Sequence, residues 1–225
     1  MFSKGTGMLD DFEDIAHEIG ISIPNDLGRL IALSAESNRE ASAVPLATIY
    51  DFAFIDAGDS ERMLEDWLGR NKQRGAEYTL LPFGQSGGGD AYCFVVFEDG
   101  DEGIAKVMHD QEDATLEFPS VSHWITREYI KQCENLEDLA CEPPEGIERM
   151  KSEVALVGAV LLPEHRELLH GLLDADVVTR PYQAGRKAQV RRVRSLISQE
   201  ASEALYQSLM SDDPIEFVVV LEWED

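Results

Sequence analysis

The stretch YTLLPFGQSGGGDAYCFVVFEDGDEGIAKVMHD, residues 78–110, decides how the chain folds. Its apolar residues fall into three short runs, 78–83, 92–98 and 104–108, divided by turns rich in glycine and aspartate. Runs of that length between turn residues read as strands. The connections are shorter than the dozen or so residues a parallel crossover needs, so successive runs are expected as antiparallel neighbours.

On either side the period changes to that of a helix. Leu9, Phe12, Ile15, Ala16 and Ile19 recur at three- and four-residue spacing, and Gly20 closes that helix. Pro24 suits the first turn of a second helix with Leu27, Leu30 and Ile31 on its inner face. In residues 47–55, Tyr50, Phe52 and Phe54 alternate as in a strand, and Asp59 and Ser60 can cap a third helix carrying Met63, Leu64, Trp67 and Leu68. After the sheet, residues 120–139 predict a helix with Val121, Trp124, Ile125, Tyr129, Cys133 and Leu136 turned inward. The fold class is α+β, with helices around a meandering, mainly antiparallel sheet.

Cys141-Glu142-Pro143-Pro144-Glu145-Gly146 reads as a linker, because its prolines stop a helix arriving from upstream. It places a boundary near 143–147, with one domain over 1–143 and a smaller C-terminal α+β accessory domain over 147–225. Residues 1–150 carry 11 basic and 31 acidic side chains, whereas 151–225 carry 8 and 13. The second region predicts strand, helix, strand, strand, helix, strand at 153–162, 163–173, 177–181, 188–196, 199–210 and 215–224. That order matches a ferredoxin-like split βαβ unit. Val190, Val193, Leu196 and Ile197 also fit helical spacing.

Across 225 residues, 44% are hydrophobic and 28% charged, enough apolar character for a buried core. Nineteen Lys and Arg against 44 Asp and Glu give a net charge of −25. Such a surface repels phosphate backbones and anionic lipid and attracts basic proteins, so neither nucleic acid nor membrane is expected as a partner. The longest apolar run, 154–162, is nine residues, against the roughly 20 that span a bilayer. Met1-Phe2-Ser3-Lys4-Gly5-Thr6-Gly7 runs into Asp10, Asp11, Glu13 and Asp14, where a signal peptide would be apolar. Cys93, Cys133 and Cys141 are odd in number and lack the C-x-x-C spacing of zinc or redox sites. A cytoplasmic protein is expected.

Candidate chemistry is sparse. Gly84-Gln85-Ser86-Gly87-Gly88 satisfies G-x-S-x-G, but a nucleophile elbow needs a helix after the serine, and a strand follows here. Gly87-Gly88-Gly89 leads to Asp90, where a phosphate loop would place lysine. Glu98-Asp99-Gly100-Asp101-Glu102-Gly103 has the acids of a calcium loop but joins two strands, so an acidic hairpin turn is expected. His165 and His170 are five residues apart, which one helix face cannot offer to zinc together. His109-Asp110, at a strand end, reads as a polar terminus rather than an acid–base pair. No catalytic, cofactor or metal site is expected. Arg180, Arg186, Lys187, Arg191, Arg192 and Arg194 form a basic cluster, expected to contact the acidic first region within the chain or in a homodimer.

Several of these segments, taken in order, carry a family resemblance. Ile23-Pro24-Asn25-Asp26 opens a helix, and Trp67-Leu68-Gly69 precedes the sheet. Leu81-Pro82-Phe83-Gly84 leads to Gly88-Gly89-Asp90 and a strand, Lys106-Val107-Met108-His109-Asp110 follows, and Phe118-Pro119-Ser120-Val121-Ser122-His123-Trp124-Ile125 begins a helix. Over about 140 residues the chain resembles the SUKH superfamily, which includes fungal cell-wall assembly regulators and bacterial immunity proteins encoded beside toxins. It departs from the usual pattern at Glu36-Ser37-Asn38-Arg39, where an Asn-Gly is common, and at Val121, where a Phe is common.

The resemblance implies a non-enzymatic binder, an immunity protein that neutralises a cognate toxin domain. The charge of −25 suits a basic, nuclease-like toxin. Asp99, Asp101, Glu102, Asp110, Glu112 and Asp113, dense on the turns of the sheet, are the expected partner-binding residues. The alternative is a regulatory scaffold resembling the fungal members, with the C-terminal region supplying self-association. A hydrolase using Ser86 is a third reading.

Overall fold

The computed structural model describes residues 7–40, 44–69, 75–185, 187–211 and 213–219. In chain order its first elements are α1 (Met8–Glu18), α2 (Asn25–Glu40), β1 (Ala53–Phe54), α3 (Ala57–Met63), β2 (Tyr78–Gln85), β3 (Ala91–Phe97), β4 (Glu102–Val107) and β5 (Asp113–Leu116). Then come α4 (Val121–Glu134), α5 (Pro143–Leu156), α6 (Pro163–Leu173), β6 (Val178–Tyr182), β7 (Arg191–Ser195), α7 (Gln199–Leu209) and β8 (Ile215–Val218). Two compact units form: one from the described residues of Met1–Ser42, Asp51–Val121 and Ser211–Asp225, the other from those of Ala43–Tyr50 and Ser122–Met210.

The first unit is built on the meander read from residues 78–110. β1, β2, β3 and β4 are adjacent in that order and antiparallel throughout, with Leu80 opposite Val95 and Cys93 opposite Ala105. Side chains alternate across a strand, so Leu80, Cys93, Val95, Ala105 and Val107 share one face. Leu68, Tyr78, Leu116 and Phe217 pack into the same cluster. On the opposite face Leu81, Phe94 and Ile104 are also buried, which explains why these strands read as near-continuous apolar runs. α1 buries Phe12 and Ala16, and α2 buries Leu27, Leu30 and Ile31, as their spacing predicts. α3 is capped by Asp56, whose carboxylate accepts from Asp59 N at 2.8 Å, and it runs on into a π-helical turn, Leu64–Leu68. The Ser60 hydroxyl, expected as a cap, instead donates to Pro82 O at 2.7 Å.

Gly103 marks a close backbone approach in this unit. Ile104 N donates to Phe118 O at 2.8 Å, and a Cβ on Gly103 would lie 2.1 Å from that same carbonyl. Gly103→Ala is therefore expected to cost about 1–3 kcal/mol, as overpacking does. A urea midpoint unchanged from the parent would contradict it.

In the second unit α4 turns Trp124, Ile125, Tyr129 and Cys133 inward at the predicted spacing. Three expectations fail here. The Pro143-Pro144 segment is the first turn of α5, where a missing N–H costs nothing, and not a linker. The strand expected at 153–162 is the end of that helix and a following turn, because Ile147, Met150, Val154 and Val157 bury one helical stripe. The ferredoxin-like order does not form either. β6 and β7 make a two-stranded hairpin, with Arg180 opposite Val193, while β8 pairs antiparallel with β5 of the first unit. Residues 220–224 of the expected last strand, Arg186 of the basic cluster and the Met1–Thr6 start lie outside the described residues. Of the strand expected at 47–55 only Ala53–Phe54 pairs, since Leu46 (φ 61°) and Asp51 (φ 60°) take left-handed backbone that interrupts extension.

Candidate functional site

The glycine-rich turn after β2 and the end of β4 meet on one carboxylate. Asp90 Oδ1 accepts from His109 Nδ1 at 2.9 Å, and its Oδ2 accepts from Ser86 Oγ and from Lys106 Nζ, each at 3.0 Å. A carboxylate only accepts, so the His109 proton sits on Nδ1. Lys106 also lies 3.5 Å from Asp51 Oδ2 and 5.4 Å from the centre of the Tyr92 ring. Burial alone would raise the Asp90 carboxyl, but the bonds from His109, Lys106 and Ser86 outweigh it and hold the pKa at about 2. A pKa depressed on folding adds stability that is full above the unfolded value near 4 and is lost as pH falls through 2. At about 1.4 kcal/mol per unit, Asp90 contributes roughly 2 kcal/mol at neutral pH. Carboxyl NMR should place its midpoint near 2; a midpoint near 4 would remove the hub.

This geometry also settles what the loop can do. Ser86 N donates to Asp90 O, Gly87 N to Asp51 Oδ1, Gly88 N and Asp90 N to Ser86 Oγ, and Gly89 N to Ser86 O. With every amide from 86 to 90 engaged, none is aimed at an anion or an oxyanion. Ser86 is buried, and its hydroxyl donates to a carboxylate while accepting two amides, so it is a turn-forming group that bonds no imidazole among the described residues. Asp90, His109 and Asp110 each bring one ligating atom within 4.8 Å of the others, a grouping spread over 20 residues that adjacency in sequence could not show. A cation there would have to enter beside the Lys106 ammonium, already 3.0 Å from Asp90. Burial pushes the Cys133 thiol up to about 12 and that of Cys93 higher still, so neither is a thiolate at neutral pH.

All six expected partner-binding residues are exposed, and they fall into two groups. Asp99 and Asp101 lie in the β3–β4 turn, with Glu102 opening β4. Asp110 and Glu112 lie in the β4–β5 turn, and Asp113 opens β5. The groups sit at the two ends of β4, whose six residues span about 17 Å at 3.4 Å per step. None of the six forms an ion pair among the described residues.

In the second unit the basic hairpin is partly neutralised within the chain, as one expectation for it required. Arg194 forks onto Glu137 at 2.7 and 3.0 Å and reaches Glu142 at 2.9 Å, while Arg191 lies 3.6 Å from Asp138. A further pair was not legible in sequence: Ser122 Oγ and His165 Nδ1, 43 residues apart, lie 2.8 Å from each other. Both are buried, no carboxylate bonds His165 among the described residues, and Ser122 Oγ accepts from Leu162 N at 2.8 Å. Burial lowers the pKa of His165, which favours its neutral imidazole. No described helix is long and apolar enough to cross a membrane.

Comparison with curated proteins and with solved structures finds no match. A sequence profile of the SMI1 / KNR4 family (SUKH-1) matches residues 9–127, just over half of the 225. The matched span runs from α1 into α4 and contains the whole Asp90 hub with Ser86, Lys106 and His109. The chain therefore belongs to the SMI1 / KNR4 family (SUKH-1).

Proposed function

We propose that this chain is a cytoplasmic immunity protein that binds a cognate toxin domain and blocks it without catalysing a reaction or using a cofactor. Membership of the SMI1 / KNR4 family places it among immunity proteins and SMI1/KNR4 proteins, and the toxin-directed role is our reading within that group. The observation that carries it is the set of six exposed carboxylates, Asp99, Asp101, Glu102, Asp110, Glu112 and Asp113, with no cationic partner among the described residues. Exposed acids without counter-charges, in a chain of −25, attract a positive surface. A nuclease has such a surface because it must grip phosphate, and an acidic protein laid over it excludes the substrate. The Asp90 hub fits this role as scaffolding, since it fastens the 86–90 turn to the end of β4 beside Asp110.

The test is co-expression with the product of the adjacent reading frame. Co-purification of the two chains and loss of that product's toxicity are the expected results. A neighbour that neither co-purifies nor is neutralised would overturn the reading and favour a regulatory scaffold.

A further inference from the structure

The second unit holds a cleft of about 450 Å³ over α5, within the range of roughly 300–1,000 Å³ common for ligand clefts. Val44 and Ala47, both exposed, give it an apolar wall. Glu145, Glu148 and Arg149 line it from α5; Arg149 pairs with Glu145, and Lys151 lies 3.4 Å from Glu148. Glu153, also in the lining, is different. It is only 4% exposed and has no ion pair among the described residues. Its Oε2 accepts from Thr48 N at 3.2 Å, Thr48 Oγ1 at 2.7 Å and Tyr129 OH at 2.9 Å, whereas among the described residues Oε1 accepts only from Thr48 N, at 3.1 Å.

We propose that this cleft receives a lysine side chain of a protein partner, its ammonium directed at Glu153 Oε1 and its stem laid along Val44 and Ala47. A buried carboxylate without a direct ion pair is costly; Arg149 acts on Glu153 only through its field, and an ammonium entering the cleft lowers that cost further. Burial keeps the Glu153 carboxyl above its ordinary range, outweighing the bonds from Thr48 and Tyr129 and the charge of Arg149. One oxygen is saturated and the other is not, so a single-point ammonium fits where a forked guanidinium does not. A four-carbon stem covers an apolar wall while its head reaches a charge. None of this requires the partner to be a toxin.

The test uses the full chain, labelled with 15N, and three probes: a blocked Gly-Gly-Lys-Gly-Gly peptide, the same peptide with norleucine for lysine, and free cadaverine. The lysine peptide should shift the Thr48 and Glu153 amides saturably, with norleucine and cadaverine at least tenfold weaker. Ser152 is exposed, and among the described residues its hydroxyl bonds only Glu148 O of its own helix, so Ser152→Trp should fold and block the cleft. Glu153→Gln should weaken the response at least tenfold; if that chain does not fold, Ser152→Trp decides alone. An equal response to norleucine, no response to lysine, or one unaffected by Ser152→Trp would overturn the proposal. Cadaverine binding as tightly as the peptide would overturn the protein source and leave a free amine as ligand.

Discussion

A chain ended after Met210 should not fold, and Phe217→Ala alone should lose about 3–5 kcal/mol, the usual cost of truncating a buried aromatic. Phe217 is 7% exposed, with its ring 4.7 Å from Tyr78 and 5.6 Å from Phe97. Its strand pairs with β5 from Asp113–Val218 to Leu116–Ile215, and the Tyr78 hydroxyl donates to Val218 O at 2.7 Å. Removing β8 opens the face formed by Tyr78, Ala114 and Leu116 and strips a whole ladder from β5. Against a total stability of roughly 5–15 kcal/mol, such a loss leaves no folded first unit. Residues 1–145 should fail for the same reason, although the sequence suggests a boundary there. Urea unfolding followed by circular dichroism measures both effects. A cooperative transition at the parent midpoint in either truncated chain would refute the account.

The sequence conveys the meander because short strands with short turns leave few topologies: period, spacing and turn residues all agree over 78–110. It does not convey the partner of β8. An edge strand of four residues, Ile215–Val218, carries no mark of which edge it joins, and β5 lies about 100 residues upstream. Val154 to Leu162 misleads differently. A continuous apolar run has no period of its own, and the helical stripe emerges only when Ile147 and Met150 are counted with Val154 and Val157. At the site, Gly88-Gly89-Asp90 and His109-Asp110 are visible as motifs, yet their bond is not, since His109 turns from its neighbour Asp110 to Asp90, 19 residues away. The acidic turns are legible as charge; their division between the two ends of β4 follows from strand direction and needs the sheet.

That division makes the second large effect specific. If the proposed partner is the product of the adjacent reading frame, the triple substitution D99K/D101K/E102K should slow association with it at least tenfold at low ionic strength, and more than D110K/E112K/D113K does. Electrostatic steering changes association rates by about 10–1,000-fold, and three reversals move the local charge by six units. The two ends of β4 differ in what surrounds them. Near Asp110 stand His109 and, through Asp90, Lys106, a cation that already offsets part of the field. At Asp99, Asp101 and Glu102 no cation forms an ion pair among the described residues, so the full charge faces solvent. Exposed, unpaired side chains change stability by only about 0.5 kcal/mol, so both triple variants should keep the parent's urea midpoint. Stopped-flow association at 20 and 300 mM salt separates the effects, because a Debye length falling from about 20 Å to about 6 Å removes steering and leaves short contacts. The parent should slow steeply with salt and D99K/D101K/E102K hardly at all. Equal rates for the parent and both variants at 20 mM salt would mean that these carboxylates do not meet the proposed partner.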